Sequence, residues 1–317
     1  MRTLADGIIE QLDYDHTDGY YGRLVAAAAH EMNVWADAGF WTGIQPGLVG
    51  LRQAYRGGAV QHPYARNDAQ LAYSAAYVPH YAAQLDRALR LHQVDVEGLL
   101  VNDATAEVMC IGCGPGTELL GLAYHIVGHA MPRMARSIRA TLVDHPRHAW
   151  LLGRALLRHQ LCHHEGEHGL GKLDCRELVW DLLHAGRIPV EVRTAARNAR
   201  LVTVMNMLTE VTHCGLKAEQ HFVSSLAEVF AAMAPGAVLL IADMGRYDGS
   251  RRVLHAAVNM LQSRAAHVTG PVADFFRSPF ASVDHTVLRE HLFSRDRRDW
   301  RIPRATVHSM SFIARKR

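Results

Sequence analysis

The stretch Val-Met-Cys-Ile-Gly-Cys-Gly-Pro-Gly-Thr, residues 108 to 117, decides the fold of this 317-residue chain. Four apolar residues lead into glycines at alternate positions, which predicts a buried strand that turns tightly into a helix. Glycines at such a turn let the backbone approach a bound molecule closely. The third glycine, Gly116, comes one residue earlier than in the G-x-G-x-x-G pattern of dinucleotide-binding turns. The spacing therefore argues against NAD or FAD and favours another nucleotide-like ligand.

The segment Ile111–Thr117 resembles the first motif of the class I S-adenosylmethionine-dependent methyltransferases, an acidic and an apolar residue followed by G-x-G-x-G. The resemblance implies that Gly112, Gly114 and Gly116 contact S-adenosylmethionine. Cys110, which we include among the cofactor-binding residues, stands where the family has Asp or Glu near the amino-acid end of the ligand. Either another group takes the role of that acid, or the ligand sits differently. A glycine turn in an unrelated α/β protein is the alternative, because a single motif of this kind has false positives.

Strand-length apolar runs alternate with helical patterns from about residue 101 onward, which predicts a parallel sheet with helical crossovers. Predicted strands lie at about 107–112, 139–144, 200–206, 237–243 and 306–314, and predicted helices at about 117–129, 147–161, 217–233 and 250–265. The third strand is expected between His163 and Arg197, with Leu170–Leu173 as a weak candidate. The family resemblance implies an α/β fold whose Rossmann-like seven-stranded methyltransferase sheet ends in an antiparallel hairpin, and residues 305–314 fit its last strand.

The first hundred residues show helical rather than strand periodicity. We expect residues 1–100 to form an N-terminal helical cap and residues 101–317 the S-adenosylmethionine-binding core. Tyr73, Tyr77 and Tyr81 are spaced four residues apart and so share one helical face, although Pro79 should kink or shift that helix. The tyrosines either pack in the core or form a substrate-binding lid, whose rings would face the sulfonium or a substrate cation.

Three polar residues near predicted strands are candidate cofactor ligands. Asp144 ends the second strand, where a carboxylate accepts both ribose hydroxyl protons in Rossmann-like sheets; a helix N-cap is the alternative. Asp174 lies in a segment, Leu173–Leu178, that resembles the family's stretch after the third strand, where an acid binds the adenine amino group. An ordinary helix-capping role is its alternative. Asn206 ends the fourth strand and should face the ligand crevice at the carboxyl edge of the sheet.

Glu210 and His213 follow the fourth strand, three residues apart and on one face if the segment is helical. A methyl acceptor that carries a hydroxyl or an ammonium must lose a proton, so this pair is a candidate catalytic base or substrate anchor. Methyl transfer needs no protein nucleophile, because the sulfonium is an activated donor and positioning lowers much of the barrier. The absence of Asn/Asp-Pro-Pro-Tyr/Phe after this strand argues against a base-flipping amino methyltransferase.

Charge and cysteine content narrow the partners and the compartment. A formal net charge of +3 is too small to imply a polyanionic partner, so a small-molecule acceptor is expected ahead of RNA. Five cysteines, an odd number without framework spacing, predict no disulfides. No apolar run is long enough for a membrane span, so we expect a cytoplasmic protein. Cys110 and Cys113 form a C-x-x-C without a second pair, and no metal site is expected.

Four histidines lie close together in the sequence, at the end of the second predicted helix and just after it. They stand on both sides of Cys162: His159, His163, His164 and His168. A solvated polar loop is the expectation, and metal binding is the alternative, since imidazole and thiolate are both metal ligands.

Together these features predict an S-adenosylmethionine-dependent methyltransferase that transfers a methyl group to a small molecule by direct in-line displacement. One alternative is an enzyme of the same fold that transfers or cyclises the aminocarboxypropyl arm and releases methylthioadenosine. The others are an RNA methyltransferase and a ligand-binding protein without catalytic activity.

Overall fold

The structure is a computed structural model. It describes residues 19–35, 37–57, 64, 66–93, 105–129, 137–145, 150–164, 172–183, 187–280, 283, 285–293 and 306–317. Four helices come first: α1 (Tyr20–Met32), α2 (Ala38–Gly57), α3 (Asn67–Ala76) and α4 (Val78–Leu91). Strands and helices then alternate: β1 (Thr105–Ile111), α5 (Thr117–His129), β2 (Ser137–Asp144), α6 (Leu151–His164), β3 (Leu173–Val179), α7 (Val190–Asn198), β4 (Leu201–Met205), α8 (Leu208–His213), α9 (Leu216–Ala232), β5 (Val238–Met244), α10 (Asp248–Gln262), β6 (Ala265–Arg277), a π-helical turn (Leu288–Leu292) and β7 (Thr306–Lys316).

The seven strands form one sheet in the order β3-β2-β1-β4-β5-β7-β6. Strands β1 to β5 run parallel, and β7 lies antiparallel between β5 and β6. This confirms the predicted α/β fold with its closing antiparallel hairpin. The strand order reverses between β1 and β4, whose carboxyl ends pair at Ile111 and Val204. A crevice opens at such a reversal, because the helices that follow the two strands lie on opposite faces of the sheet.

Two hydrophobic clusters cover the two faces of the sheet. One is formed by α1 to α6 and includes the buried Trp41 and Leu85; the other contains residues of α7 to α10, such as Phe222 and Leu254. The N-terminal helices therefore belong to the same core as the strands. Helix α4 packs tightly on α5 at Gly121, where an added Cβ would lie 2.7 Å from the carbonyl oxygen of Ala82.

The tyrosine-bearing segment is divided between two helices, as the position of Pro79 predicts. Tyr77 stands between α3 and α4 with φ −123° and ψ −44°, outside the helical region. Pro79 lies in the first turn of α4, where its missing N–H leaves no helical hydrogen bond unmade.

The two edge strands differ most from the predicted elements, and helix α7 was also not predicted. The segment Leu173–Leu178 is the third strand itself, so the prediction that it follows that strand is wrong. Most side chains of β3 are exposed, because an edge strand has a neighbour on one side only and needs no continuous apolar run. The predicted helix 250–265 ends at Gln262, and β6, the other edge strand, has no counterpart among the predicted strands. Pro271 of β6 lies at an irregularity of the ladder, where a residue without an N–H is tolerated.

None of the helices in the described ranges has the length and apolarity needed to cross a membrane.

The close contact between α4 and α5 predicts that Gly121→Ala lowers the free energy of unfolding by about 1–3 kcal/mol. The new Cβ would meet both the Ala82 carbonyl and the Cβ of Leu85, 2.8 Å away. Urea unfolding followed by far-UV circular dichroism measures the change. The matched control is Gly43→Ala in α2, where no atom lies within 4 Å of the new Cβ. This control should gain about 0.5–1 kcal/mol from helix propensity. Equal effects of the two substitutions would contradict the tight α4–α5 contact.

Candidate active site

The glycine loop, residues 112 to 116, joins β1 to α5 at the point where the strand order reverses. Gly112 has φ +64° and Gly114 has φ +54°, a backbone region that favours glycine. A Cβ on Gly112 would overlap the Met207 thioether, and one on Gly114 would lie 3.3 Å from the Trp150 ring. The Gly112 N–H donates to the Val143 carbonyl at 2.8 Å, which ties the loop to β2. The loop is thus fixed by its neighbours, and its three glycines carry no side chains, as the sequence predicts for a backbone that meets a ligand.

Glu118, in the first turn of α5, is the most unusual charged group at this edge. Its side chain is 3% exposed, and its Oε2 atom has no hydrogen-bond partner within the described residues. Burial, with a smaller contribution from the charge of Asp144, raises the pKa of Glu118 to about 8. Glu118 was not among the predicted site residues, although it follows Gly116 by only two positions. Its burial is what marks it as unusual, and burial cannot be read from the glycine motif.

Cys110 lies in β1 with its side chain in the hydrophobic cluster shared with the N-terminal helices. Burial raises the pKa of its thiol well above the ordinary value, and the charge of Glu118 raises it further. Cys113 is also buried, and burial raises the pKa of its thiol in the same way. Metal ligation requires a thiolate, so these surroundings disfavour it at both cysteines. The effect of Glu118 on Cys110 shows that a carboxyl group lies near the position where the family has its acid.

Asp144 ends β2 at the same edge of the sheet. Its Oδ1 accepts a hydrogen bond from the His145 N–H at 2.7 Å, and its carbonyl accepts one from the Trp180 N–H at 3.0 Å. Two residues beyond β3, a carboxylate oxygen of Asp181 lies 2.7 Å from Nε2 of His145. The ends of β2 and β3 therefore bring two carboxylates and an imidazole together.

Asp174 lies at the other end of β3. It is the second residue of that strand, and its exposed carboxylate is 3.8 Å from Nε of Arg139. The expectation that Asp174 follows the third strand is therefore wrong; the acid in that position is Asp181. The available signal was the apolar pair Leu178 and Val179 before Trp180 and Asp181, which reads as the end of a strand.

Asn206 and Asp243 end the strands β4 and β5. Asn206 has φ +54°, and neither polar atom of its side chain has a partner within the described residues. Asp243 is buried, and one of its carboxylate oxygens accepts the Leu208 N–H at 2.7 Å. Burial raises the pKa of Asp243 to about 6, although its hydrogen bonds oppose that shift. Asp243 thus anchors the start of α8, the helix that carries Glu210 and His213.

The two predicted catalytic residues differ in their surroundings. Glu210 is half-buried, and it lies close enough to Tyr73 for its charge to raise the pKa of that phenol, after burial and the neighbouring phenols Tyr81 and Tyr64. His213 is the last residue of α8 and is exposed. Of the two, Glu210 is the one whose charge acts on the tyrosines, and His213 faces solvent.

The predicted tyrosine face is part of an aromatic cluster formed by Tyr64, Tyr73, Tyr77, Tyr81 and Trp150. Tyr73 stacks on Tyr77 with ring centroids 5.3 Å apart, and Tyr77 lies 5.9 Å from Tyr81. Trp150 contacts Tyr73 and Tyr64 at 4.9 and 4.7 Å. Because Trp150 also packs on Gly114, the cluster borders the glycine loop. All five side chains are buried. The cluster is therefore part of the packed core and also lies beside the glycine loop.

Gln70 fixes the helices that carry this aromatic cluster. Its Oε1 accepts the Gly153 N–H at 2.7 Å, and its Nε2 donates to the Tyr64 carbonyl at 2.7 Å. Gln70 of α3 thereby joins the first turn of α6 to α3 and to Tyr64, which lies three residues before α3 begins.

No protein-family model and no curated protein sequence matches the chain. Its structure is similar to a loganic acid methyltransferase with SAH at 10% identity and a TM-score of 0.42, over 77% of this chain and 97% of that one. It is similar to the mitomycin 7-O-methyltransferase at 16% identity and a TM-score of 0.39, over 83% and 60%. A SAM-dependent methyltransferase from Methanosarcina mazei has 14% identity and a TM-score of 0.38, over 70% and 96%. The fold is assigned from the strand order and register: the chain has the Rossmann-like seven-stranded fold of the class I methyltransferases.

Proposed function

We propose that this protein is an S-adenosylmethionine-dependent methyltransferase that acts on a small molecule. The observation that carries the proposal is the buried carboxyl of Glu118, two residues after the glycine loop, one of whose oxygens has no hydrogen-bond partner among the described residues. An uncompensated buried carboxylate is costly. A ligand with an ammonium group would offset that cost, and the amino-acid part of S-adenosylmethionine carries one. Glu118 would then do the work of the acid that Cys110 replaces.

The other polar groups at the edge fit the rest of the same ligand. Asp144 would accept the hydroxyl protons of the ribose. Asp181, whose carboxylate is oriented by His145, would accept a proton of the adenine amino group. The glycines of the loop allow close approach of a ligand, and the side-chain amide of Asn206, which has no partner in the described part of the chain, lies just after the neighbouring strand. When bound, the sulfonium supplies an activated methyl group.

Residues of the helices would hold the acceptor. The aromatic cluster presents ring faces that favour a cation and excludes water beside the glycine loop. Glu210, close to Tyr73, is the group placed to take a proton from an acceptor hydroxyl or ammonium. A closed aromatic wall and a net charge of only +3 favour a small acceptor over RNA.

The pKa of Glu118 makes a specific prediction for ligand binding. At pH 7 the free protein holds a proton on this group, so pairing with a ligand ammonium should release about one proton per ligand. Calorimetric titration with S-adenosylhomocysteine, in two buffers of different ionisation enthalpy, measures that release. It should disappear as the pH rises past about 8, where Glu118 is already ionised. Glu118→Gln should abolish the release and weaken binding, whereas Glu191→Gln on the exposed surface of α7 should do neither.

Two outcomes of this titration would contradict the proposal in different ways. No binding heat in any variant would overturn the cofactor assignment itself. Binding without proton release in the unmodified protein would leave the cofactor in place and remove Glu118 from its site.

The ligand-free protein offers a second check of the pKa of Glu118. Because folding raises the pKa of Glu118 from about 4.5 to about 8, its free energy of unfolding should fall as the pH rises between those values, and less so in Glu118→Gln.

The two aspartates of the sheet ends form a matched pair for testing the ribose contact. Asp144→Ala should weaken S-adenosylhomocysteine binding about 10- to 100-fold, because hydrogen bonds to a charged group contribute about 1.5–3 kcal/mol. Asp174→Ala, at the opposite end of the sheet, should leave the affinity unchanged. Equal affinities in the two variants, by calorimetry, would return Asp144 to a capping role.

Product analysis tests the reaction. Incubation of the protein with S-adenosylmethionine and a panel of small hydroxyl- and amine-bearing acceptors should yield S-adenosylhomocysteine. Methylthioadenosine as the product would instead indicate transfer or cyclisation of the aminocarboxypropyl arm. Tight binding without any product across the panel would favour a ligand-binding protein without catalytic activity.

A further inference from the structure

Three potential metal ligands meet where the end of α1 contacts α6, away from the glycine loop. A carboxylate oxygen of Glu31 lies 2.7 Å from Nε2 of His159 and 3.4 Å from Nδ1 of His30. One ligand atom from each of the three side chains lies within 4.8 Å of the other two. Residues that are 128 positions apart in the chain, Glu31 and His159, are thus brought together by the packing of two helices.

The spacing of these atoms is close to that of a zinc site. Zinc bonds to imidazole and carboxylate are about 2.0–2.2 Å long, so the ligand atoms of a tetrahedral site are about 3.3–3.6 Å apart. The separation of Glu31 from His30, 3.4 Å, lies in that range, and its separation from His159, 2.7 Å, is shorter. Because His30 and Glu31 are exposed and His159 is half-buried, small rotations of these side chains would bring their ligand atoms to the distances of a zinc site. Two imidazoles and one carboxylate are also a set that first-row transition ions bind readily.

The alternative is a simple hydrogen bond between a histidine and a glutamate, which needs only one imidazole. Here two imidazoles share one carboxylate oxygen, and their ring centroids are 5.3 Å apart. A bound cation makes use of both imidazoles, because metal binding takes neutral rings and an ionised carboxylate.

We propose that His30, Glu31 and His159 bind a divalent first-row transition ion, with Zn²⁺ as the expected occupant, and that this ion joins α1 to α6. The sequence grouped His159 with the histidines around Cys162 and favoured a solvated loop. Its partners in the fold are instead on α1, and they have no signal in the local sequence. The ion would add a coordinate link to a helix pair that is already joined by hydrogen bonds of Gln160 to Tyr20 and Arg23.

Zinc titration of the full chain tests this proposal. The protein is prepared without a histidine tag, dialysed against a chelator, and titrated with Zn²⁺ by calorimetry near neutral pH. One site is expected whose affinity falls about ten- to a hundredfold in Glu31→Gln and His159→Ala, as loss of even an outer-shell partner does elsewhere. His255→Ala, which removes an exposed histidine of α10, is the control and should bind as the unmodified protein does.

Thermal unfolding gives a second measurement that does not depend on enzyme activity. At one fixed concentration, Zn²⁺ should raise the melting temperature of the unmodified protein and of His255→Ala equally, and should raise that of Glu31→Gln less. Two results would overturn the proposal: no zinc binding to the unmodified protein, or binding that Glu31→Gln and His159→Ala leave intact. The second result would place the ion among the other histidines of the chain.

Discussion

The contact between bare glycine backbone and two large side chains is the constraint on which the site depends. Gly112 meets Met207 from the end of β4, and Gly114 meets Trp150 from the start of α6. These contacts fix the loop between the two halves of the sheet. Because α5 begins where the loop ends, they also fix the first turn of α5 and with it the carboxyl of Glu118. The same glycines that admit a ligand therefore place the acid that we assign to it.

The N-terminal helices are held to this framework by buried polar contacts as well as by apolar packing. Gln84 of α4 donates to Ser309 of β7 at 2.9 Å. Asp86, buried on the same helix, pairs with Arg90 and His125. Burial opposes the ionisation of Asp86, but the hydrogen bond from His125 and the charge of Arg90 lower its pKa overall. Since removing one partner of a buried pair is costly, these contacts fix the position of α4 over the sheet.

The parts of the fold that were predictable from the sequence are those where burial leaves a local pattern. Strands β1 and β5 contain the apolar runs Val108–Ile111 and Val238–Ala242, and both were predicted close to their observed bounds. Strand β3 lies in the predicted region between His163 and Arg197, but its bounds were not predicted, since its edge position leaves most of its side chains exposed. For that reason Asp174, rather than Asp181, was expected to follow the third strand. Glu118 was missed for a different reason: whether a polar residue is buried depends on what packs over it, and that is set by distant helices. The contact of Glu31 with His159 likewise depends on the packing of two helices that are far apart in the sequence.

The shared hydrophobic cluster of α1 to α6 limits how such a protein can be remodelled. The N-terminal helices bury the same apolar residues that cover one face of the sheet, so neither part is complete without the other. Exchange of these helices for those of another protein would strip this face of its cover. Under the function proposed above, a new acceptor preference is more accessible through substitutions within the aromatic cluster, one side chain at a time, than through exchange of whole segments.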